Sequence, residues 1–179
     1  EEVQALQGRV IGVGVARPGN GRRWFCGIVD AIRCTAQHDA WQNVTLQVVS
    51  ALALLDRRTA CRVFQDMSVP DIVARILEEH RQGNASIALA FDHRRSLLAQ
   101  HDVRSYCVQF NESDKQFIER LLAEEGISYR FEFDRLDGLP RHVLVLSDQP
   151  LFDPDGAVAL PHRAAGTDDG TPHLQGWQL

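Results

Sequence analysis

The sequence predicts an α+β chain, mainly β, in which short strands that curl into barrels or sandwiches carry two short amphipathic helices. Three observations carry that prediction. Residues 8–16 (GRVIGVGVA) and 24–32 (WFCGIVDAI) flank RPGNGR, whose Pro-Gly and Asn-Gly pairs are strong turn chemistry, so the chain opens with a hairpin. Residues 68–83 (SVPDIVARILEEHRQG) place apolar side chains at helical spacing between a capping serine and a closing glycine. Residues 111–134 (NESDKQFIERLLAEEGISYRFEFD) repeat that plan and pass, across Gly126, into apolar-polar alternation.

The chain has 179 residues, and a chain of that size buries about two-thirds of its unfolded surface, enough for a real core. Hydrophobic residues make up 44% and charged residues 24%, a globular composition rather than a disordered one. The net charge of -5 gives no broad basic field, so nucleic acid is not expected as a partner. Only RRTACR (57–62) and DHRRS (92–96) gather cations, and both read as solvated loop. Cysteines stand at 26, 34, 61 and 107 without a Cys-x-x-Cys pair. On one strand Cys26 and Cys34 would lie roughly 26 Å apart, beyond disulfide reach, so free and mostly buried thiols are expected. There is no charged-then-apolar leader and no apolar run of about 18 residues, so neither signal peptide nor membrane span is expected.

After the hairpin, residues 44–55 (VTLQVVSALALL) supply a third strand, with Val44, Leu46 and Val48 on one apolar face. Glycines at 12, 14 and 27 point to bulges or close backbone approach. In the first helix Ser68 caps, Asp71 sits where a capping-box partner belongs, Pro70 falls in the first turn and Gly83 ends it. Val69, Ile72, Val73, Ile76 and Leu77 make one stripe. Placing Ser113 over Ser68, 45 residues apart, also sets Phe117 over Ile72, Ile118 over Val73, Arg120 over Arg75, Leu121 over Ile76, Leu122 over Leu77 and Glu124 over Glu79. Short strand-like runs (CRVFQ, 61–65; YCVQF, 106–110) precede the helices. Alternating ones follow: Ile87, Leu89, Phe91 in the first copy and Ile127, Tyr129, Phe131, Phe133 in the second. Either internal duplication or the same capping rules met twice accounts for the match. Beyond it DRLDGLP (134–140) is a turn, RHVLVLS (141–147) a strand that pairs back on ISYRFEF, and the rest is irregular, with LQGWQL at the end as a strand.

The search for chemistry finds scaffold. Gly12 and Gly14 begin a G-x-G, but Arg17 stands at the sixth position and a strand follows where a phosphate site needs a helix. Gly126-x-Ser128 continues to Arg130 instead of a second glycine, in the helix-then-strand order that does not expose a nucleophile. His80 reads as a histidine suited to a helix C-terminus rather than a metal ligand. The pairs Glu78/Glu79 and Glu124/Glu125 diverge by about 100° on their helices and read as solvated surface. The neighbours Asp92-His93 and His101-Asp102 carry no geometric weight. Sequons at Asn43, Asn84 and Asn111 have no supporting context. Trp24, Trp41 and Trp177 read as core before partner surface. No catalytic, cofactor-binding or metal residue is assigned; an enzyme or ligand site would have to be assembled from scattered groups such as Asp39, His93 and Asp148.

The wording of particular segments adds a family. RRWFCGIVDAI, LLDRRTACRVFQDMSVPDIVARILEEH, RSYCVQFNESDKQFIERLLAEEGISYRFEFD and LQGWQL resemble, in order, segments of the VgrG family of type VI secretion spike proteins and their phage late-control and tail-hub relatives. The resemblance implies that residues 1–179 are a fragment of a tail-hub-like base of paired β-barrel subdomains. Residues 1–60 would be a first barrel portion, and 61–179 two strand-helix-strand units with a second. It implies a homotrimer in the full-length protein, contacts with the secretion tube protein and baseplate components, and effector cargo carried by regions outside this fragment. It also implies assembly in the bacterial cytoplasm and export outward or into a target cell. A contractile phage tail hub is the neighbouring reading, and the resemblance brings no catalytic residue. Cys26 stands where an imidazole side chain is common.

Overall fold

The structure of the chain, a computed structural model, describes residues 3–17, 21–36, 42–136 and 138–149. Apolar alternation on both sides of the first turn produces β1 (Val10–Arg17) and β2 (Gly21–Ala36), antiparallel with Val10 opposite Ile28. The 16-residue β2 is long enough to pair twice. From Ile28 onward it takes β3 (Gln42–Val49), with a register shift between Val29 and Ala31. The expected glycines are not the bulge. Each marks a close approach: a Cβ on Gly27 would lie 2.6 Å from the Val49 carbonyl oxygen, and one on Gly14 would meet the Trp24 ring at 3.0 Å.

The third strand stops at Val49, six residues earlier than the sequence predicts. Ser50 is extended and residues 51–54 form the short helix α1 (Ala51–Leu54), continued by a 3-10 turn over Leu55–Arg57. Ala51, Leu52 and Leu55 are buried, a helical spacing that no strand of period two can supply. The alternation at Val44, Leu46 and Val48 does form a strand, but Val44 and Val48 stay exposed.

β4 (Thr59–Phe64) and β5 (Met67–Ser68) lead into α2 (Val69–Gly83). Its five stripe residues are fully buried, which contributes about 7 to 15 kcal/mol as an upper bound. Ser68 does not cap by its own oxygen; its hydroxyl donates to Asp71 Oδ2 at 2.6 Å. Gly83 is still helical. At Asn84 the chain turns and begins a further helix, α3 (Ala85–Ala90), which replaces the alternating strand expected at 87–91. The reason is local: Asn84 Oδ1 accepts from the backbone N–H groups of Ser86 and Ile87, and Ile87 and Ala90 bury at i, i+3 while Leu89 faces out. Strand β6 starts only at Phe91 (Phe91–Ser96).

β7 (Val103–Arg104) pairs with β5, and β8 (Cys107–Ser113) pairs antiparallel with β4. Val63 lies opposite Val108, 45 residues on, the same offset that the sequence shows between the two helices. Next comes α4 (Asp114–Glu124), which carries both halves of a capping box: Ser113 Oγ accepts from Gln116 N at 3.2 Å and Gln116 Oε1 from Ser113 N at 3.1 Å. Its end is a Schellman turn, in which Gly126 at φ +66 lets Ile127 N–H reach the Leu122 carbonyl at 2.8 Å. β9 (Ser128–Leu136) and β10 (Leu139–Ser147) form the expected hairpin around Gly138 at φ +81. β10 pairs parallel with β6 on its other edge.

The sheet orders are β1-β2-β3 and β6-β10-β9, with two small ribbons β4-β8 and β5-β7. Among the described residues no pairing closes a barrel. The architecture is mainly β with a few helices. One apolar core joins Ile28 and Leu55 to the stripes of α2 and α4 and to Leu144 and Leu146 of β10. The turn tip at 18–20, Asp39, Trp41, the irregular stretch from Pro150, LQGWQL and Trp177 lie outside the described residues.

Candidate functional site

The most concentrated group of ionisable side chains is closed on itself. Asp114, first residue of α4, is fully buried. Its carboxylate accepts from Arg58 Nε, from Arg62 Nη2 at 2.8 Å, from His80 Nε2 at 2.6 Å and from Gln109 Nε2 at 2.8 Å. Glu79 accepts from the same two arginines, at 2.8 Å from Arg58 and 2.6 Å from Arg62. Burial alone would raise the Asp114 pKa. The hydrogen bonds from His80, Gln109 and Arg58 and the charge of Arg62 overcome it and hold the carboxyl far below the usual carboxylate range. A carboxylate so fully engaged is a structural anion. It ties α2, α4, β4 and β8 together.

This cluster corrects three expectations. Residues 57–62 are not a solvated basic loop: Arg57 pairs with Asp30, and Arg58 and Arg62 serve Asp114. His80 is a hydrogen-bond partner of a buried carboxylate, not merely a helix-end residue. Glu79 is a bridge rather than free surface, and Glu124 and Glu125 both hold Arg104, at 2.7 and 2.6 Å. On residues 92–96, Arg94 meets Glu132 and Arg95 meets Asp71, so that second basic run is neutralised as well. The shared Arg-to-Glu pairs form in both helices, at 3.6 Å for Arg75–Glu79 and 3.0 Å for Arg120–Glu124. β4 and β8 explain why the network was hard to read. Their inward positions carry Arg62 and Gln109, while Val63, Val108 and Phe110 point outward and are exposed.

A second place is a cavity of about 280 Å³ in the wedge between the two three-stranded sheets, lined among others by Val13, Phe25, Val48, Phe131 and Phe133. Cys26 Sγ and His142 Nδ1 stand 3.7 Å apart at its floor. A thiol beside an imidazole invites comparison with a nucleophile and its base. The hydrogen bonding says otherwise. Ala51 N–H donates to His142 Nε2 at 2.9 Å, so Nδ1 carries the ring hydrogen and faces the sulfur as a donor. Burial pushes the Cys26 thiol up to about 11 and the buried His142 down to about 4. Both are neutral at pH 7, with no thiolate-imidazolium pair. The expectation of mostly buried thiols holds for Cys107 alone. Cys26 is intermediate, and Cys34 and Cys61 are exposed.

Other sequence candidates are occupied by local structure. Ser113 Oγ donates to Asp56, and Ser128 Oγ to the Ser147 carbonyl at 2.9 Å. Asp148 accepts from the backbone of Leu98 and Ala99, at 2.9 and 2.7 Å, and lies 3.8 Å from His101. His93 sits half-buried beside Asp92 with its pKa lowered by burial. No hydrogen bond or ion pair joins His93 to Asp148 among the described residues. The sequon at Asn84 is a helix cap, and Asn111 holds φ +49 at the register shift within β8. Among the described residues no three His, Cys, Asp or Glu side chains could share a metal ion. No described helix is long and apolar enough to cross a membrane.

Comparison with known proteins agrees with this picture of scaffold. The family model for the phage tail baseplate hub (GPD) matches residues 2–179. The chain is 34% identical over 164 residues to the type VI secretion system spike protein VgrG1c of Pseudomonas aeruginosa PAO1, covering 89% of this chain and 21% of that protein. It is 40% identical over 125 residues to VgrG4b of the same organism, covering 68% and 14%. It is 34% identical over 131 residues to VgrG3 of Vibrio cholerae, covering 73% and 12%. The chain thus spans about a fifth or less of the length of these curated relatives. Its fold resembles that of the E. coli c3393 protein, with a TM-score of 0.63 and 24% identity over 86% of this chain and 39% of the other. That protein is described as a component of the type VI secretion system with structural similarity to the T4 bacteriophage tail proteins gp27 and gp5.

Proposed function

This chain belongs to the phage tail baseplate hub (GPD) family, and on that premise we propose that it is a structural segment in the base of a type VI secretion spike. It works by assembly and by transmitting force, not by catalysis. The observation that carries the reading is the Asp114 cluster: the densest set of ionisable side chains among the described residues is bonded within itself and joins helices to strands. The long β2, paired on both edges, suits a part that must pass load without local unfolding. The Cys26–His142 pair is held in the protonation states that make it inert.

The finer organisation follows the spike relatives. Residues 1–60 contribute to one barrel subdomain, and residues 61–179, with two strand-helix-strand units, to a second; the barrels are completed by polypeptide beyond the described strands. The full-length protein is a homotrimer that contacts the secretion tube protein and baseplate components, carries effectors through other regions, assembles in the bacterial cytoplasm and leaves the cell. The names of the spike proteins it resembles support this reading. The description of the matched family supports a contractile phage tail hub as the second reading, which the neighbouring genes would separate. Deleting this segment from its native gene should abolish export of the secretion tube protein; unchanged export would count against the proposal.

A further inference from the structure

The wedge cavity has a charged neighbour. A second cavity, of about 510 Å³, shares Phe131 and Phe133 with it and adds Arg22, Arg23 and Trp24. Arg22 and Arg23 form no ion pair among the described residues, whereas Arg58, Arg62, Arg104 and Arg120 each meet two carboxylates. Glu132, which also lines the second cavity, is already taken by Arg94 and Arg130. In a chain of net charge -5, two adjacent unneutralised arginines are a local reversal of sign. The Arg23 guanidinium stands 4.9 Å from the Phe25 ring centroid, and that ring meets Phe133 edge-on at 5.4 Å. Cation and apolar floor are therefore contiguous.

We propose that this amphipathic groove seats an acidic, apolar segment of a partner polypeptide, its apolar side chains against Val13, Phe25 and Phe133 and its carboxylates at Arg22 and Arg23. Charge selects the occupant's sign. Extent selects a polypeptide over a small amphiphile: Val13 is 51% exposed, Val15, outside the cavity but opposite Arg23, is 49% exposed, and Phe133 is 37% exposed. The apolar surface therefore continues along β1 past the cavity, to Val15. Arg23 leaves β2 on the same face as Phe25 and Arg22 on the other, beside the edge of β2 that β3 leaves unpaired. An extended segment that alternates apolar and acidic residues along that edge therefore sets its apolar side chains on the trough and its carboxylates within reach of both arginines.

The test is fluorescence anisotropy with a labelled acetylated octapeptide alternating leucine and aspartate, beside its counterpart with asparagine for aspartate. The proposal expects saturable binding of the aspartate peptide, roughly tenfold weaker binding of the asparagine peptide, and a similar loss in the Arg22→Ala/Arg23→Ala double variant. Val13→Asp should remove binding, and Lys115→Ala should leave it unchanged. Urea midpoints of all variants check folding, and the double variant, altered only at exposed arginines, serves if Val13→Asp does not fold. No saturable binding, equal affinity for both peptides, or indifference to the arginine substitutions overturns the proposal. So does saturable binding of decyl sulfate, sensitive to the same arginines, in the absence of peptide binding.

Discussion

His142 should make the fold labile to mild acid. The ring is fully buried between Phe91 and Phe131, with centroids 5.5 and 5.6 Å away, and its Nε2 accepts the first N–H of α1. Burial lowers its pKa from about 6.5 to about 4. A group whose pKa is depressed in the folded state contributes stability that is present above the unfolded pKa and is lost as pH falls through the folded one. Linkage across those two values gives a loss of about 2 kcal/mol by pH 5 and about 3 kcal/mol by pH 4. His142→Gln keeps an acceptor near Ala51 N–H and removes the titration. The variant should be less stable at pH 7.5 by about 1 to 2 kcal/mol, from lost ring packing. Its urea-derived stability should then fall less than that of the parent between pH 7.5 and 5, by about 2 kcal/mol. Parallel pH profiles for the two proteins would refute a neutral buried imidazole, and with it the inert reading of Cys26.

Other consequences follow from the same structure. Asp114→Asn should cost about 2 to 4 kcal/mol at pH 7, the lower part of the range reflecting the partial exposure of Arg58 and Arg62 and the survival of Glu79. Because the Asp114 carboxyl titrates far below its usual range, that gap should narrow as pH falls below about 4 in denaturant titrations. Two helix-end glycines with equally open surroundings should respond oppositely. Gly126→Ala, at φ +66, should lose about 1 kcal/mol, whereas Gly83→Ala should be neutral or gain up to about 1 kcal/mol, as thermal melts would show. Iodoacetamide should modify exposed Cys34 and Cys61 first. Cys26, about one part in a thousand thiolate at pH 8, should react slowly and speed up about tenfold per pH unit. Rapid labelling of Cys26 at neutral pH would contradict its neutral state.

The sequence by itself determined the elements whose cause is local. Ser113, Gln116 and Gly126 specify both ends of α4 within a few residues, the stripe of α2 needs only its own spacing, and the two hairpins follow from turn residues between alternating runs. The segment wording determined the family. What failed were the places where local pattern was ambiguous. SALALL suits strand or helix equally, and the core against which Leu52 packs chose the helix; at ASIALA the Asn84 cap and the burial of Ile87 chose it together. Asp114 carries no sequence signal beyond its place in the first turn of α4, and the arginines at 58 and 62 fall in a run that reads as solvated loop. Their tell was position: Arg62 sits on the side of β4 that alternates inward with Phe64. Of the partners of Asp114, Arg58, Arg62 and His80 lie 56, 52 and 34 residues away along the chain and only Gln109 is near, while those of His142 lie 91 and 116 away. Helix caps and turns are set by bonds within a few residues, and a sequence displays them. The charge state of a buried carboxylate or imidazole is set by burial and by donors brought from distant segments, and only the tertiary structure decides those.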